Sequence, residues 1–166
     1  MNITAMYFSG TGTTKKVTAA IADELTEIKI SQDETAAGEN PGSIKAGIKP
    51  WQRTEDIDFT PPAARREIYR FTPDDLVVFG VPVIAGRVPN VLLKFLDTLQ
   101  GGGALAVPVV LYGNRNFDDA LIELRNILQD RGFYAIGAAA FIGEHSFSRI
   151  LAAGRPDSSD MELSRD

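Results

Sequence analysis

The chain has 166 residues, 44% of them hydrophobic, a formal charge of -5 and no cysteine. That length suits one α/β domain with a single core, and therefore one site. The lack of cysteine excludes a thiolate nucleophile, an iron–sulfur cluster, a thiolate zinc site and a disulfide framework within this sequence, so any redox chemistry has to ride on a bound organic cofactor. The acidic balance argues against nucleic acid as a partner, because phosphate backbones are held by clustered Lys and Arg. No run approaches the roughly 18 apolar residues of a membrane-spanning helix, and MNITAMYF shows no basic segment ahead of an apolar one. A cytoplasmic protein with no membrane association is the expectation.

Residues 3–8 (ITAMYF) are a short apolar run closed by Ser-Gly-Thr-Gly, which predicts a buried strand ending in a tight turn. Val17, Ile21 and Leu25 then recur four apart with Ala20 on the same stripe, the spacing of an amphipathic helix. From 28 to 53 the pattern turns polar and glycine-containing, and a surface insertion is expected there, with Trp51 anchoring a small satellite cluster. EDIDFT predicts an edge strand around Ile57 and Phe59, with EIKIS at 27–31 as its competitor; PPAARREIYRF follows as a short helix. DDLVVFGVPV (74–83) is the continuous apolar run of a central parallel strand. Val91, Leu92, Phe95, Leu96 and Leu99 predict a helix stopped by Gly101–Gly103. LAVPVVLYG predicts the next strand, FDDALIELRNILQDRG a helix with Gly132 beyond its end, and IGAAAFIG the last strand. Five strands separated by helices predict a three-layer α/β fold with a parallel sheet of order 2-1-3-4-5. Ligands of such sheets bind at the carboxyl ends of the strands beside the switch point.

The loop at that point, Ser9, Gly10, Thr11, Gly12, Thr13 and Thr14, packs four hydroxyls and two glycines ahead of a helix N-terminus. Such a loop cradles a phosphate with backbone N–H groups and hydroxyl donors, with the helix end supplying positive potential; the plainer reading is a βα turn with a threonine cap. It carries neither the Gly-Lys-Ser/Thr of a nucleoside triphosphate loop nor GxGxxG. A monophosphate ligand remains.

YFSGTGTT resembles the FMN phosphate loop of flavodoxins, Ser/Thr-x-Thr-Gly-x-Thr, with Ser9, Thr11, Gly12 and Thr14 in its positions. FGVPVIAGRVPN, VPVVLYGNRNFDDAL, FIGEHSFS and AAGRPD are similar to the flavodoxin-like part of bacterial and archaeal proteins that fuse a flavodoxin to a two-cluster ferredoxin, whose cysteine-bearing part this sequence lacks. The resemblance spans nearly the whole chain except 28–53 and implies one flavodoxin-like FMN-binding domain over 1–166. It implies that the flavin ring lies between two loops, Pro82, Val83, Ile84, Ala85, Gly86 and Arg87 on one side and Gly113, Asn114, Arg115, Phe117 and Asp118 on the other. Phe117 is then the candidate stacking residue, with core anchoring as its alternative role. Ile84 stands where the family's other aromatic does, and Gly86 permits a peptide flip toward flavin N5 or simply serves the turn. Arg87 and Arg115 are expected to favour the reduced anionic flavin.

His145, the one histidine, is read either as a hydrogen-bonded structural group or as an acid or base. Arg155 and Asp157 are expected to pair or to cap a last helix. The implied function is electron transfer through FMN with a ferredoxin-type or other redox protein, as monomer or homodimer. An NAD(P)H-dependent flavin or quinone reductase and a non-redox docking module are the rivals. The short tail SSDMELSRD, with Met161 and Leu163 its large apolar residues, suggests that the natural polypeptide continues beyond Asp166 or that a dimer partner covers the sheet.

Overall fold

A computed structural model of the chain describes residues 1–36, 51–148 and 150–165. β1 (Asn2–Tyr7), β4 (Asp75–Pro82) and β5 (Leu105–Tyr112) form the centre of a parallel sheet, in the order β1-β4-β5. Each outer position is filled by two short strands in series. β2 (Gln52–Arg53) and β3 (Ile57–Asp58) pair successive parts of β1, and β6 (Tyr134–Ala135) and β7 (Ala139–Ile142) do the same along β5. Taken as five positions, the sheet has the expected order 2-1-3-4-5.

Period-two alternation assigns the strand residues to two apolar layers. Ile3, Ala5, Tyr7, Leu76, Val78, Val109 and Leu111 pack against Val17, Ile21 and Ala22 of α1 (Thr13–Ala36). Met6, Val77, Phe79, Val81 and Val110 pack with Leu92, Phe95 and Leu96 of α2 (Asn90–Leu96) and with Leu124 and Leu128 of α3 (Ala120–Asp130). Phe59, fully buried just after β3, stacks within 5.3 Å of Phe79 and 4.9 Å of Phe95, centroid to centroid. α3 ends in a Schellman motif at Gly132 (φ +87°): Phe133 N–H donates to Leu128 O at 3.1 Å and Gly132 N–H to Gln129 O at 3.0 Å.

Several expectations change. The helix does not stop near residue 27 but runs on through Ala36, which makes EIKIS helical, because a helical frame once nucleated propagates more cheaply than a new strand starts. The remainder of the expected insertion, 37–50, lies outside the described residues, while Gln52–Arg53 belong to the sheet. Trp51 is buried in the α1-side layer itself rather than in a satellite cluster. IGAAAFIG is not one strand: β6 begins two residues earlier, and the chain leaves the ladder before β7. PPAARREIYRF supplies only a 3₁₀ turn, Ala64–Arg66.

The chain closes with α4 (Ser158–Leu163), whose Met161 packs on the α1-side layer. Asp157 caps it by accepting from Ser159 and Asp160 N–H, both at 3.0 Å, and Asp160 returns a bond from Asp157 N–H at 2.8 Å. Asp160, almost wholly buried, also takes both guanidinium arms of Arg155. That hydrogen bond holds its carboxyl below the ordinary aspartate value. A depressed carboxyl stabilises the fold above the unfolded pKa of about 3.9, and the contribution disappears as pH falls through the folded value. Asp160→Asn is expected to lower Tm by about 5 °C at pH 7 and to lose most of that difference at low pH, read by thermal unfolding across a pH series.

Candidate functional site

Four loops meet at the carboxyl edge of the sheet, following β1, β4, β5 and β7. After β1, Gly12 (φ +88°) turns the chain into α1. Ser9 Oγ accepts from Lys15 N–H at 3.1 Å and Ser9 N–H donates to Thr60 Oγ1 at 2.8 Å, so Ser9 fixes the loop to the helix and to the neighbouring strand. Among the described residues the N–H groups of Gly10, Thr11 and Gly12 have no partner, and those of Thr13 and Thr14 open α1, where no preceding turn offers a carbonyl. A β-carbon at Gly10 or Gly12 would meet nothing within 4 Å, and Gly10 and Thr11 border a cavity. Thr11 Oγ1 and Thr13 Oγ1 lie 3.2 Å apart at its edge. The loop thus offers an anion backbone dipoles and hydroxyls rather than basic side chains.

After β4, Ala85 (φ +51°) and Gly86 (φ +74°) form a tight reversal closed by reciprocal Ile84–Arg87 backbone bonds of 3.0 and 3.1 Å. After β5, Asn116 Oδ1 accepts from Phe117 N–H at 2.8 Å while its amide donates to Asp118 Oδ1 at 3.0 Å, fixing the loop ahead of α3. Asp119 N–H donates to Gly86 O at 3.1 Å and ties the two loops together. After β7, the His145 Cα and Cδ2 atoms stand 3.0 Å from where a β-carbon of Gly113 would be, so this fourth loop lies directly on the third.

Two adjoining cavities result. One, of about 300 Å³, is lined by Gly10, Thr11, Thr13 and Thr14 with Pro82, Leu111, Gly143, Glu144 and Ser146. The other, of about 600 Å³, lies between Ala85–Gly86 and Arg115, Asn116 and Asp118, with His145 and Phe147 on a further wall. Val83, Ile84, Tyr112, Gly113 and Ser146 border both.

The loops therefore bring together most of the candidate residues, but five stand apart from both cavity walls. Ser9 and Gly12 shape the cradle from behind, and Asn114 (φ +71°) shapes its turn. Phe117 turns inward against the α2–α3 layer, 5.6 Å from the Tyr112 ring, and takes the core-anchoring alternative. Arg87 is held by Glu123 on α3 through bonds of 2.9 and 2.6 Å, and Glu123 also accepts from Val88 N–H at 2.8 Å. The hydrogen bond from Arg87 lowers the Glu123 pKa, so the pair is charged and mutually neutralised at pH 7. Arg115 is exposed on the cleft wall. His145 Nδ1 accepts from Phe147 N–H at 3.1 Å, a structural bond within its loop, while the residue also faces the larger cavity. Tyr112, Glu144, Ser146 and Phe147 escape a sequence reading centred on the loops after the first, third and fourth predicted strands. The signal available for Phe147 is a large aromatic set among polar residues in GEHSFS.

No group of three or more carboxylates or histidines suited to a metal ion occurs among the described residues, and no described helix is long and apolar enough to cross a membrane. No protein-family model matches the chain, and no curated protein matches it significantly. Solved structures do. An archaeal flavodoxin superposes with a TM-score of 0.57 at 13% identity, over 99% of this chain and 92% of that one. The flavodoxin of Streptococcus pneumonia TIGR4 gives 0.57 at 14%, over 99% and 93%. The apo form of an NADH:FMN oxidoreductase gives 0.56 at 17%, over 99% and 84%. At these identities the likeness shows the fold, which is flavodoxin-like.

Gly86 combines its positive φ with a forbidden contact: a β-carbon there would lie 2.5 Å from Asp118 Oδ2 and 2.8 Å from Asp118 Cβ. Gly86→Ala is expected to destabilise the protein by about 1–3 kcal/mol in urea unfolding and to displace Asp118 from the cleft wall.

Proposed function

We propose that this protein binds one FMN at the carboxyl edge of its sheet and carries electrons through it. The observation that carries this reading is the open cradle of unpartnered N–H groups and hydroxyls at Gly10–Thr14, adjoining a larger cavity between the loops after β4 and β5. One anionic end and one flat, largely apolar body are what those two spaces accept. In this assignment Gly10, Thr11, Thr13 and Thr14 hold the phosphate. Val83–Gly86 and Tyr112–Gly113 flank the ring, and the free backbone groups of these turns are placed to bond its polar edge. Bound there, the flavin would supply one- and two-electron transfer. The chain's residues position it, exclude water from one side and set its potential. A ferredoxin-type iron–sulfur protein is the proposed electron partner, on the resemblance of the loop motifs to flavodoxin–ferredoxin fusions.

The test is titration of the purified protein with FMN and with riboflavin, followed by flavin absorption and fluorescence. FMN is expected to bind with a structured visible band and quenched fluorescence; no change in either signal refutes the assignment. The fold shared with an NADH:FMN oxidoreductase favours one competing reading, a reductase. Rapid bleaching of the bound flavin on mixing with NADPH alone would replace the carrier assignment with it.

Thr11→Ala and Thr14→Ala are each expected to weaken FMN by about 1.5–3 kcal/mol while leaving riboflavin nearly unchanged, since only the phosphate loses a charge-assisted donor. Equal losses for both ligands would remove the loop from phosphate binding. The two arginines separate in a second measurement. Arg87 is neutralised by Glu123 and directed to α3, whereas Arg115 stands on the cavity wall. Potentiometry is expected to show a downward shift of the flavin midpoint for Arg115→Ala and little change for Arg87→Ala.

A further inference from the structure

We propose that Phe147, from the loop after β7, is the aromatic that stacks on the flavin ring. This inference rests on the FMN reading above and adds to it a binding residue outside the two loops that the sequence motifs implicate.

The two positions from which an aromatic was expected do not supply one. Ile84 is aliphatic and 56% exposed. Phe117 packs into the α2–α3 layer and borders neither cavity. Phe147, by contrast, borders the larger cavity with 95% of its surface exposed, the largest exposure among the described large hydrophobic side chains. Leaving a benzyl group in water forgoes the free energy of its burial, which a flat ligand lying against it recovers.

The loop holds this side chain at a defined place. Phe147 N–H donates to His145 Nδ1 at 3.1 Å, and the two rings meet nearly edge-on at 6.2 Å. His145 is in turn pressed against Gly113, which borders both cavities, and any larger residue at 113 would push it away. At the loop's base Glu144 N–H donates to Arg155 O at 2.9 Å, and Arg155 is fastened to buried Asp160. The exposed ring is therefore carried on an anchored arm whose root is tied to the core and whose inner surface is the cleft. A flavin ring entering between the loops after β4 and β5 would meet Ile84 on one side and Phe147 on the other, an aliphatic and an aromatic wall.

The experiment compares wild type, Phe147→Ala and Phe147→Trp for FMN and riboflavin affinity and for Tm without ligand. Phe147→Ala is expected to weaken both ligands by the same factor, about tenfold, because the ring and not the phosphate loses its contact. Phe147→Trp is expected to restore or exceed the wild-type affinity. The Tm without ligand should be the same in all three, since the side chain contributes almost no buried surface. Wild-type binding of FMN with undiminished affinity in Phe147→Ala would overturn the stacking role and leave the FMN assignment standing. A failure of wild type to bind FMN would overturn both. Loss of FMN affinity with riboflavin unaffected would assign Phe147 to the phosphate end and likewise overturn the proposal.

Discussion

At Gly80 a β-carbon would fall 2.0 Å from Thr18 Oγ1 and 3.0 Å from Thr14 Cγ2, so α1 lies against β4 at a separation only glycine permits. Thr18 returns its hydroxyl to Thr14 O at 2.8 Å, which leaves no polar atom stranded at this contact. The consequence reaches beyond packing. Gly80 lies near the carboxyl end of β4, and its pressed contact is with the first turns of α1. The N-terminus of α1 is therefore seated against the sheet edge, between β1 and β4, where the chain reverses its direction of winding. The amides of Gly10–Thr14 face that edge because α1 is close. A helix standing farther off would still carry the same dipole but would present it to solvent, where it is screened.

The charges that lie nearest this edge are largely committed to the scaffold. Glu123 receives Arg87 and the Val88 amide, fastening the loop after β4 to α3. Asp160 receives Arg155 and the Asp157 amide, fastening the arm after β7 to α4. Asn116 folds its own loop around itself. Arg87, Glu123, Arg155 and Asp160 are thereby kept off the cleft walls, which combine apolar side chains and backbone with Asn116, His145, Ser146, the loop threonines and the exposed Arg115, Asp118 and Glu144. On the proposed FMN reading, a site of this composition would discriminate by shape and by one anionic anchor more than by a dense set of hydrogen bonds.

The central strands were legible in the sequence because β4 and β5 are covered on both faces, and burial on both faces writes itself as an unbroken apolar run. The edge strands were less so. β2 and β6 are two residues each, too short for alternation to register, and β6 and β7 are separated where the chain drops out of the ladder after Ile136 N–H reaches Ala106 O. EIKIS shows the opposite error, since its alternation is that of a strand, yet it continues a helix already nucleated at Thr13. For the site, the glycines and hydroxyls of residues 9–14 marked a loop suited to an anion, and the resemblance to flavodoxins pointed to the loops after β4 and β5; such residues act through the backbone and so announce their position locally. The direction of a loop side chain depends on partners remote in sequence. Arg87 is turned by Glu123, 36 residues away, and Phe117 by a hydrophobic layer built from segments remote in sequence. The same reasoning explains Phe147. Its loop is held beside the cavity by the Gly113–His145 contact and, through Glu144, by the Arg155–Asp160 clamp, neither of which local pattern encodes, so its residue type was visible in GEHSFS while its place on the cleft wall was not.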